Sequence, residues 1–551
     1  MGVCETAFVI ERSQALAALA DDEFDVVVVG GGITGAGVAL DAAARGYSVA
    51  LLERADYASG TSSRSSKLVH GGLRYLQHFD LGLVREALLE RQLLVALAPH
   101  LVRPLPLVVP AFDGAHPDRL VGVGLNLYDV MARDRDRRRR SESWSPDRHR
   151  IISGEEVVEL LPALAAREPT SGYLFYDCQT DDVRLVLTVL GEAERFGAVC
   201  ANRLRVTGLL EQDGRTRGVR ALDAESGAEL EVRAANVINA TGVWADQLRP
   251  GELHDEAELP RIRPSRGTHV ILDRKDLPLV GGAIVPAGSG RSIFALPWLG
   301  RTLVGTTDND YEGDLEHVRP SSEDIDYLLQ ASNEFFGATL DSSNLVGAFA
   351  GVRPLISTGD PKKSVDISRK AELYETSSGM ITITGGKLTT WRRMAKMTVD
   401  RLVERDAREA PCRTHEIPLG QAIAADELPR VEGVPAESYA ALASRYGEAA
   451  QQVLALAAES NPAHPELAQP IVPGLPDLLA EVVLAARNEQ ARSIGDVLLR
   501  RTRLGLLAAR ELPVERVAGV LARELGWSEE RTKLEIVRFA EEARAEGMLT
   551  A

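Results

Sequence analysis

Gly30, Gly32, Gly35 and Glu53 are the residues whose types and spacing point most directly to chemistry. They stand in DVVVVGGGITGAGVALDAAARGYSVALLE, the stretch from Asp25 to Glu53. Between a strand and a helix, a first glycine permits the tight turn and a second lets a pyrophosphate approach the backbone. A third lets the helix pack close to the strand. A carboxylate ending the next strand accepts hydrogen bonds from an unphosphorylated adenosine ribose, which favours FAD or NAD. The elements that must hold these residues surround them. Val26–Val29 is the β-branched run of a strand buried on both faces. A helix is predicted over roughly 34–44, its N-terminal N–H groups facing the phosphates. It ends at the cap signal Arg45-Gly46, and a second strand is predicted over 48–52. Strand, helix, second strand and terminal acid together favour a dinucleotide site over a plain βαβ unit.

Three further stretches carry polar groups of the same kind. TSSRSSKLVHGGLRY, residues 61–75, combines small hydroxyls, a glycine pair and Arg-Tyr. The functional reading is a loop laid along a cofactor, bonded to it through groups such as Thr61, Ser62, Ser66, Lys67, His70 and Gly71. The rival reading is a polar surface loop. A strand predicted over 232–240 runs into Thr241-Gly242, as a second nucleotide-side crossing would. A strand over 380–384 leads into Gly385-Gly386-Lys387-Leu388-Thr389-Thr390, which opens a helix reaching about 404.

At 551 residues the chain exceeds one ordinary core, and two or three domains are expected. The net charge of −17 argues against general nucleic-acid binding. The four cysteines, Cys4, Cys178, Cys200 and Cys412, are far apart and form no CxxC. No iron–sulfur cluster, metal site or redox disulfide is therefore expected, and the usage suits a reducing cytoplasm. No run of eighteen apolar residues implies a spanning helix. Residues 1–22 read as a lead-in helix and linker, and 81–98 as an amphipathic helix. Arg133–Arg150, with Arg137–Arg140 inside it, reads as a solvated loop or as a contact with anionic lipid. A helix is predicted over 182–196, and alternating residues over 261–310 predict a mostly antiparallel sheet. Residues 405–436, rich in Pro and charge, read as a linker, and helices follow to the end. One complete fingerprint is present, since Gly122-Val123-Gly124 lacks the third glycine and follows no convincing strand. Flavin reductases fed by NAD(P)H generally carry two, so FAD alone is expected, reduced directly by an organic substrate.

The strings GTSSRSSKLVHGGLRYL, NATGVWAD, LVGTTD, AGVRPL and TGGKLTTWR resemble FAD-dependent glycerol-3-phosphate dehydrogenase, a family similar to the amino-acid-oxidase flavoproteins. The resemblance covers about residues 21–405, and DVLLRRTR (Asp496–Arg503) resembles the family's helical C-terminal domain. Val243 and Ala350 depart from it, standing where the family often has Pro and Ser. The implied fold is α/β: a Rossmann-like FAD-binding domain of the amino-acid-oxidase type with a mostly antiparallel substrate-binding sheet, plus a C-terminal all-α domain. The FAD part takes about 21–100, 165–245 and 345–405, the substrate part about 100–165 and 245–345, and the helical domain 406–551.

The implied reaction oxidises sn-glycerol 3-phosphate to dihydroxyacetone phosphate and passes the electrons to a membrane quinone. A glycerol-3-phosphate oxidase using O2, and an amino- or hydroxy-acid oxidase, are the alternatives. The family is usually a cytoplasmic enzyme attached peripherally to the inner face of the cell membrane and is often dimeric, so a homodimer is expected. By the resemblance, Arg74, Tyr75, Arg353 and Arg369 lie at or near the substrate pocket, where arginine suits a phosphate dianion. His269 aligns with the family's pocket histidine and is the candidate base, with substrate orientation as its rival role. Lys387 adds charge either to the helix start beside the flavin or at the substrate.

Overall fold

The computed structural model describes residues 11–72, 80–113, 119–132, 148–248, 261–288, 291–357, 371–459 and 463–548. The four valines of the first strand, Glu23–Val29, are all buried. They can be, because the strand is paired in parallel on both edges. Val49–Leu52 lies on one side and Glu229–Asn239 on the other, with Val29 level with Leu52 and Asn239. Ile381–Gly385 and Val199–Ala201 extend the parallel array outward. Ala371–Glu375 and the hairpin Leu204–Gln212/Arg215–Asp223 add antiparallel strands, making eight. The helix Ile33–Ala44 crosses this sheet between Asp182–Arg195 and Trp391–Arg405. Gly37 permits the contact with the last of these, because a Cβ there would fall 2.5 Å from the Trp391 ring.

The second sheet has ten strands and is antiparallel except where Gly282–Pro286 runs parallel to Arg103–Ala111. Its longest pair joins Arg261–Asp273 to Leu345–Ser357. Register there decides the chemistry, since side chains alternate between faces with a period of two. Ser265 is level with Arg353, Gly267 with Gly351 and His269 with Phe349, so Arg353 and His269 share one face. On the other edge His269 is level with Gly305.

Helices Ala436–Tyr446, Ala450–Glu459, Leu479–Asn488, Val514–Leu525 and Glu529–Ala545 enclose a separate apolar core. They are bound to the nucleotide-side sheet by buried charges. Arg501, 1% exposed, donates to both oxygens of Asp56 at 2.7 and 2.9 Å, and Arg500 reaches the same carboxylate at 2.6 Å. Arg203 pairs with Asp496, Arg184 with Glu489, and Arg503 with Asp181. Burial opposes the Asp496 charge, yet Arg203, Arg500 and Arg501 hold its carboxyl well below the usual carboxylate range.

Two segments carry tertiary detail beyond the expectation. Gly122-Val123-Gly124 lies inside the helix Arg119–Ala132. The helix tolerates Gly122 because a Cβ there would meet the Tyr173 hydroxyl at 2.4 Å, so the missing side chain permits close packing. The stretch from 406 to 435 has no helix or strand, as a linker should, but it is strapped down. Leu419 is buried, and its N–H donates to Leu97 O at 2.8 Å.

Removing one member of a buried pair strands the other charge and costs about 3–5 kcal/mol, whereas exposed pairs are worth about 0–1 kcal/mol. Arg501→Met leaves Asp56 paired with Arg500 and is therefore expected to lower unfolding free energy by at most about 3–5 kcal/mol. Breaking the exposed Arg220–Glu231 pair by Arg220→Met should change it by less than about 1 kcal/mol. Denaturant melts of both variants make the comparison.

Candidate functional site

A cavity of about 470 Å³ opens where the first strand meets its helix, lined there by Gly30, Gly32 and Thr34. Gly30 has φ +113°, a conformation that L side chains rarely adopt, and a Cβ on Gly35 would lie 1.9 Å from Gly30 O. The turn and the close approach thus both require glycine. Gly32 caps the helix, whose first N–H, at Ile33, donates to Ser62 Oγ at 3.0 Å. Ser62 and Thr61 line the cavity, and Thr61 Oγ1 donates to Val352 O at 2.6 Å, tying this loop to the second sheet. Glu53 also lines it. Its two oxygens accept from the N–H groups of Gly31 at 2.7 Å and Ala55 at 2.8 Å. Burial pushes the Glu53 carboxyl up, and those two donors pull it back.

The opposite wall comes from the later crossings. Asn239 forms the turn into Thr241-Gly242: its Oδ1 accepts from Thr241 N and Oγ1, while its Nδ2 donates to Ala245 O and Leu248 O. Gly242 O accepts from Thr384 Oγ1 at 3.2 Å, which joins this turn to the Gly385-Gly386 loop. Gly386, at φ +68°, Lys387 and Leu388 complete the lining, and Thr389 sits behind them holding His70 N–H at 3.1 Å. Gly71 N–H is held by Tyr128 and Asp177, which Arg91 neutralises at 2.5 Å. Arg54 stacks 4.2 Å over Trp244 and pairs with Glu316, so all three side chains border the cavity. Sequence reasoning missed these supports. Asn239 and Trp244 lay within a quoted motif, but Asp177, Tyr128 and Glu316 carried no local signal.

Of the residues expected along the cofactor, Ser66, Lys67, His70, Gly71 and Thr389 do not line this cavity. Lys67 is fully buried on Asp182, 2.8 Å from both carboxylate oxygens, because a desolvated ammonium needs a paired anion. Ser66 turns to His269, with Oγ 2.8 Å from Nε2. His269 is buried, and its ring stacks on Phe349 with centroids 4.8 Å apart at 11°. Burial first, then the charges of Arg353 and Lys67, push its proton affinity well below the ordinary histidine range, so the imidazole is neutral. Arg353 donates to Thr306 Oγ1 at 3.0 Å and to Thr307 O at 3.2 Å, beside Asp308. Gly267 makes room for it, since a Cβ there would lie 2.5 Å from the guanidinium. Arg74, Tyr75, Arg369 and Arg137–Arg140 lie outside the described residues. Val243 and Ala350, the two departures from the family pattern, meet in one buried cluster with Val318 and Val352.

A family model described as FAD dependent oxidoreductase matches residues 25–401. One described as the C-terminal domain of alpha-glycerophosphate oxidase matches residues 412–532. Glycerol-3-phosphate dehydrogenase 2 of Mycobacterium tuberculosis is 37% identical over 552 residues, spanning 97% of this chain and 91% of that protein. Aerobic glycerol-3-phosphate dehydrogenase of Bacillus subtilis is 34% identical over 509 residues, 90% and 89% of the two chains. The solved glycerol-3-phosphate dehydrogenase of Bacillus halodurans, complexed with FAD, superposes with a TM-score of 0.77 at 29% identity, covering 97% of both chains. FAD fits the cavity: a glycine cradle and helix N-terminus suit its pyrophosphate, and Glu53 suits its ribose.

The Gly35–Gly30 contact leaves no room for a methyl group. Gly35→Ala is expected to cost about 1–3 kcal/mol by overpacking. It should also yield protein nearly free of FAD, read as flavin absorbance per mole of chain.

Proposed function

The chain belongs to the FAD-dependent glycerol-3-phosphate dehydrogenase family, and on that premise we propose that it oxidises sn-glycerol 3-phosphate to dihydroxyacetone phosphate and delivers the electrons to a membrane quinone. The observation that carries the reading is the register of the second sheet, which puts a cation and a neutral imidazole on one face. Bound FAD supplies a two-electron acceptor for the hydride of C2. The remaining work falls to side chains of this chain. Arg353 offers its planar fork to the phosphate dianion, already oriented by Thr306 and Thr307. His269, neutral before substrate arrives, takes the proton of the C2 hydroxyl. Phosphate and histidine are linked through charge. The Arg353 charge depresses His269, so a dianion bound at Arg353 offsets it and raises the proton affinity of the base. Lys387 and the helix start at Leu388 line the cavity and would lend positive potential to the flavin when it is bound.

The quinone is the acceptor favoured over oxygen on the family resemblance. Among the described residues no helix is long and apolar enough to cross a membrane. A peripheral contact is supported instead by Val123, Leu127 and Val130, which recur at i, i+4 and i+7 on one exposed face of the helix Arg119–Ala132. Ile151, 60% exposed, adds to the apolar surface, and Arg137–Arg140 follows the helix in sequence.

Anaerobic mixing with sn-glycerol 3-phosphate should bleach the flavin, while glycerol, lacking the phosphate, should bleach it very slowly. A second mix should then reoxidise the enzyme much faster with a soluble quinone analogue than with air-saturated buffer. Faster reoxidation by oxygen, with stoichiometric peroxide, would make the protein an oxidase. For the membrane contact, Val123→Asp combined with Val130→Asp is expected to reduce pelleting with anionic vesicles severalfold. Electrostatic pelleting of the parent should weaken at 1 M salt, where screening shortens to about 3 Å.

A further inference from the structure

The imidazole of His269 is closed in on nearly every side. Only 2% of the residue is exposed. Phe349 covers one face, and Gly305 lies so near the ring edge that a Cβ there would fall 2.3 Å from Cδ2. Among the described residues the ring has one hydrogen-bond partner, Ser66 Oγ at Nε2, and Nδ1 has none. Ser66 itself is half-buried and stands in the loop that follows the cavity-lining Thr61-Ser62. A substrate hydroxyl therefore reaches Nε2 by way of the position that Ser66 Oγ holds.

That position is fixed from both sides. Ser65 donates to Asp182 Oδ2 through its N–H at 3.2 Å and its hydroxyl at 2.7 Å. Lys67, in the left-handed region at φ +58°, donates to both oxygens of the same carboxylate and to Ser63 O at 2.6 Å. Arg503 of the C-terminal domain lies 3.6 Å from Asp182 and pairs with Asp181. Ser66 is thus held between two residues clamped to one buried anion, and that anion is neutralised in part from the other domain.

We propose that Ser66 is the hydroxyl through which His269 takes the proton of the substrate's reacting hydroxyl, with Asp182 and Arg503 as positioning residues. The proposal rests on the reading of His269 as the base. The substrate O–H bond breaks and its proton passes to Ser66 Oγ, while the Ser66 proton passes to His269 Nε2. The C2–H bond breaks and its hydride carries two electrons to bound FAD. C2 becomes a carbonyl carbon, the flavin is reduced, His269 becomes an imidazolium and Ser66 is regenerated. The transfer requires Nε2 to accept, which places the resting ring proton on Nδ1. In that tautomer the Ser66 hydroxyl donates to Nε2. The charged groups acting on the ring, Arg353 and Lys67, both oppose its protonation, and a phosphate bound at Arg353 would offset the first of them.

The test uses the oxidised holoenzyme and the variants Ser66→Ala, Ser66→Thr, His269→Asn and the double Ser66→Ala/His269→Asn. Without substrate, nitrogen NMR of labelled histidine should show His269 Nε2 as a hydrogen-bond acceptor in the parent, and that signature should vanish in Ser66→Ala. In anaerobic stopped flow, Ser66→Ala and His269→Asn should each slow flavin reduction about 10²- to 10⁴-fold, and the double variant should be no slower than the slower single. Ser66→Thr, which keeps the hydroxyl, should recover to within about tenfold of the parent. Ser66→Cys replaces Ser66→Ala if the latter loses its flavin. A normal rate in Ser66→Ala with an impaired His269→Asn would overturn the relay and leave the base standing. Multiplicative losses in the double variant, or an unchanged NMR signature, would also overturn it. A normal rate in His269→Asn would instead remove the base and the relay with it.

Discussion

Buried arginine–carboxylate pairs on the seam between the C-terminal helices and the nucleotide-side sheet are the constraint on which the rest of the structure depends. Asp56 follows the strand Val49–Leu52, and the loop beyond it carries Thr61, Ser62 and Ser66. Arg500 and Arg501 fix the start of that loop through Asp56, and Lys67 fixes its end through Asp182. Ions taken out of water are costly unless they are paired, so such pairs permit few alternative geometries. Tyr57 and Asn202 complete the seam by hydrogen-bonding the Gln490 side chain, and Asn202 also donates to Gln490 O. The C-terminal domain, which contributes none of the lining residues of the cofactor cavity, is in this way part of what shapes it.

The same low-dielectric logic applies to the face of the second sheet that carries Arg353 and His269. Burial favours a neutral His269, and nearby Arg353 and Lys67 deepen that preference. On the roles proposed for His269 and Arg353, substrate recognition and base strength follow from one electrostatic arrangement, because a dianion bound at Arg353 offsets the charge that depresses the imidazole. Phe349 contributes as well, stacking on His269 while lying 5.0 Å from the Lys67 ammonium.

Local rules reached far into the nucleotide-binding half. The helix observed at Ile33–Ala44 and the strand at Val49–Leu52 lie within a residue of expectation, because valine runs, glycines and caps act over a few residues. Asp80 and Ser528 cap their helices with side-chain oxygens, as such residues do at the starts of helices. Gly122-Val123-Gly124 was harder to place. Glycine disfavours a helix locally, and its compensation, contact with Tyr173, comes from a strand some fifty residues away. Residues 406–435 were likewise legible as irregular chain, while their attachment to Leu97 was not.

The sequence by itself determined the dinucleotide cradle, because Gly30, Gly32, Gly35 and Glu53 act through a contiguous strand–turn–helix–strand whose geometry is set by steric exclusion between near neighbours. It also marked the residue types that a phosphorylated alcohol and a flavin require, through motifs that resemble a known family. Tertiary structure alone decided which of those residues meet. Lys67 and Ser66 sit in the same hydroxyl-rich run as Thr61 and Ser62, yet the first is spent on Asp182 and the second on His269. The physical reason is that pairing a buried charge, or satisfying a buried imidazole, depends on groups more than one hundred residues away in the chain. Only the packing of two sheets and a helical domain brings those groups within hydrogen-bond reach.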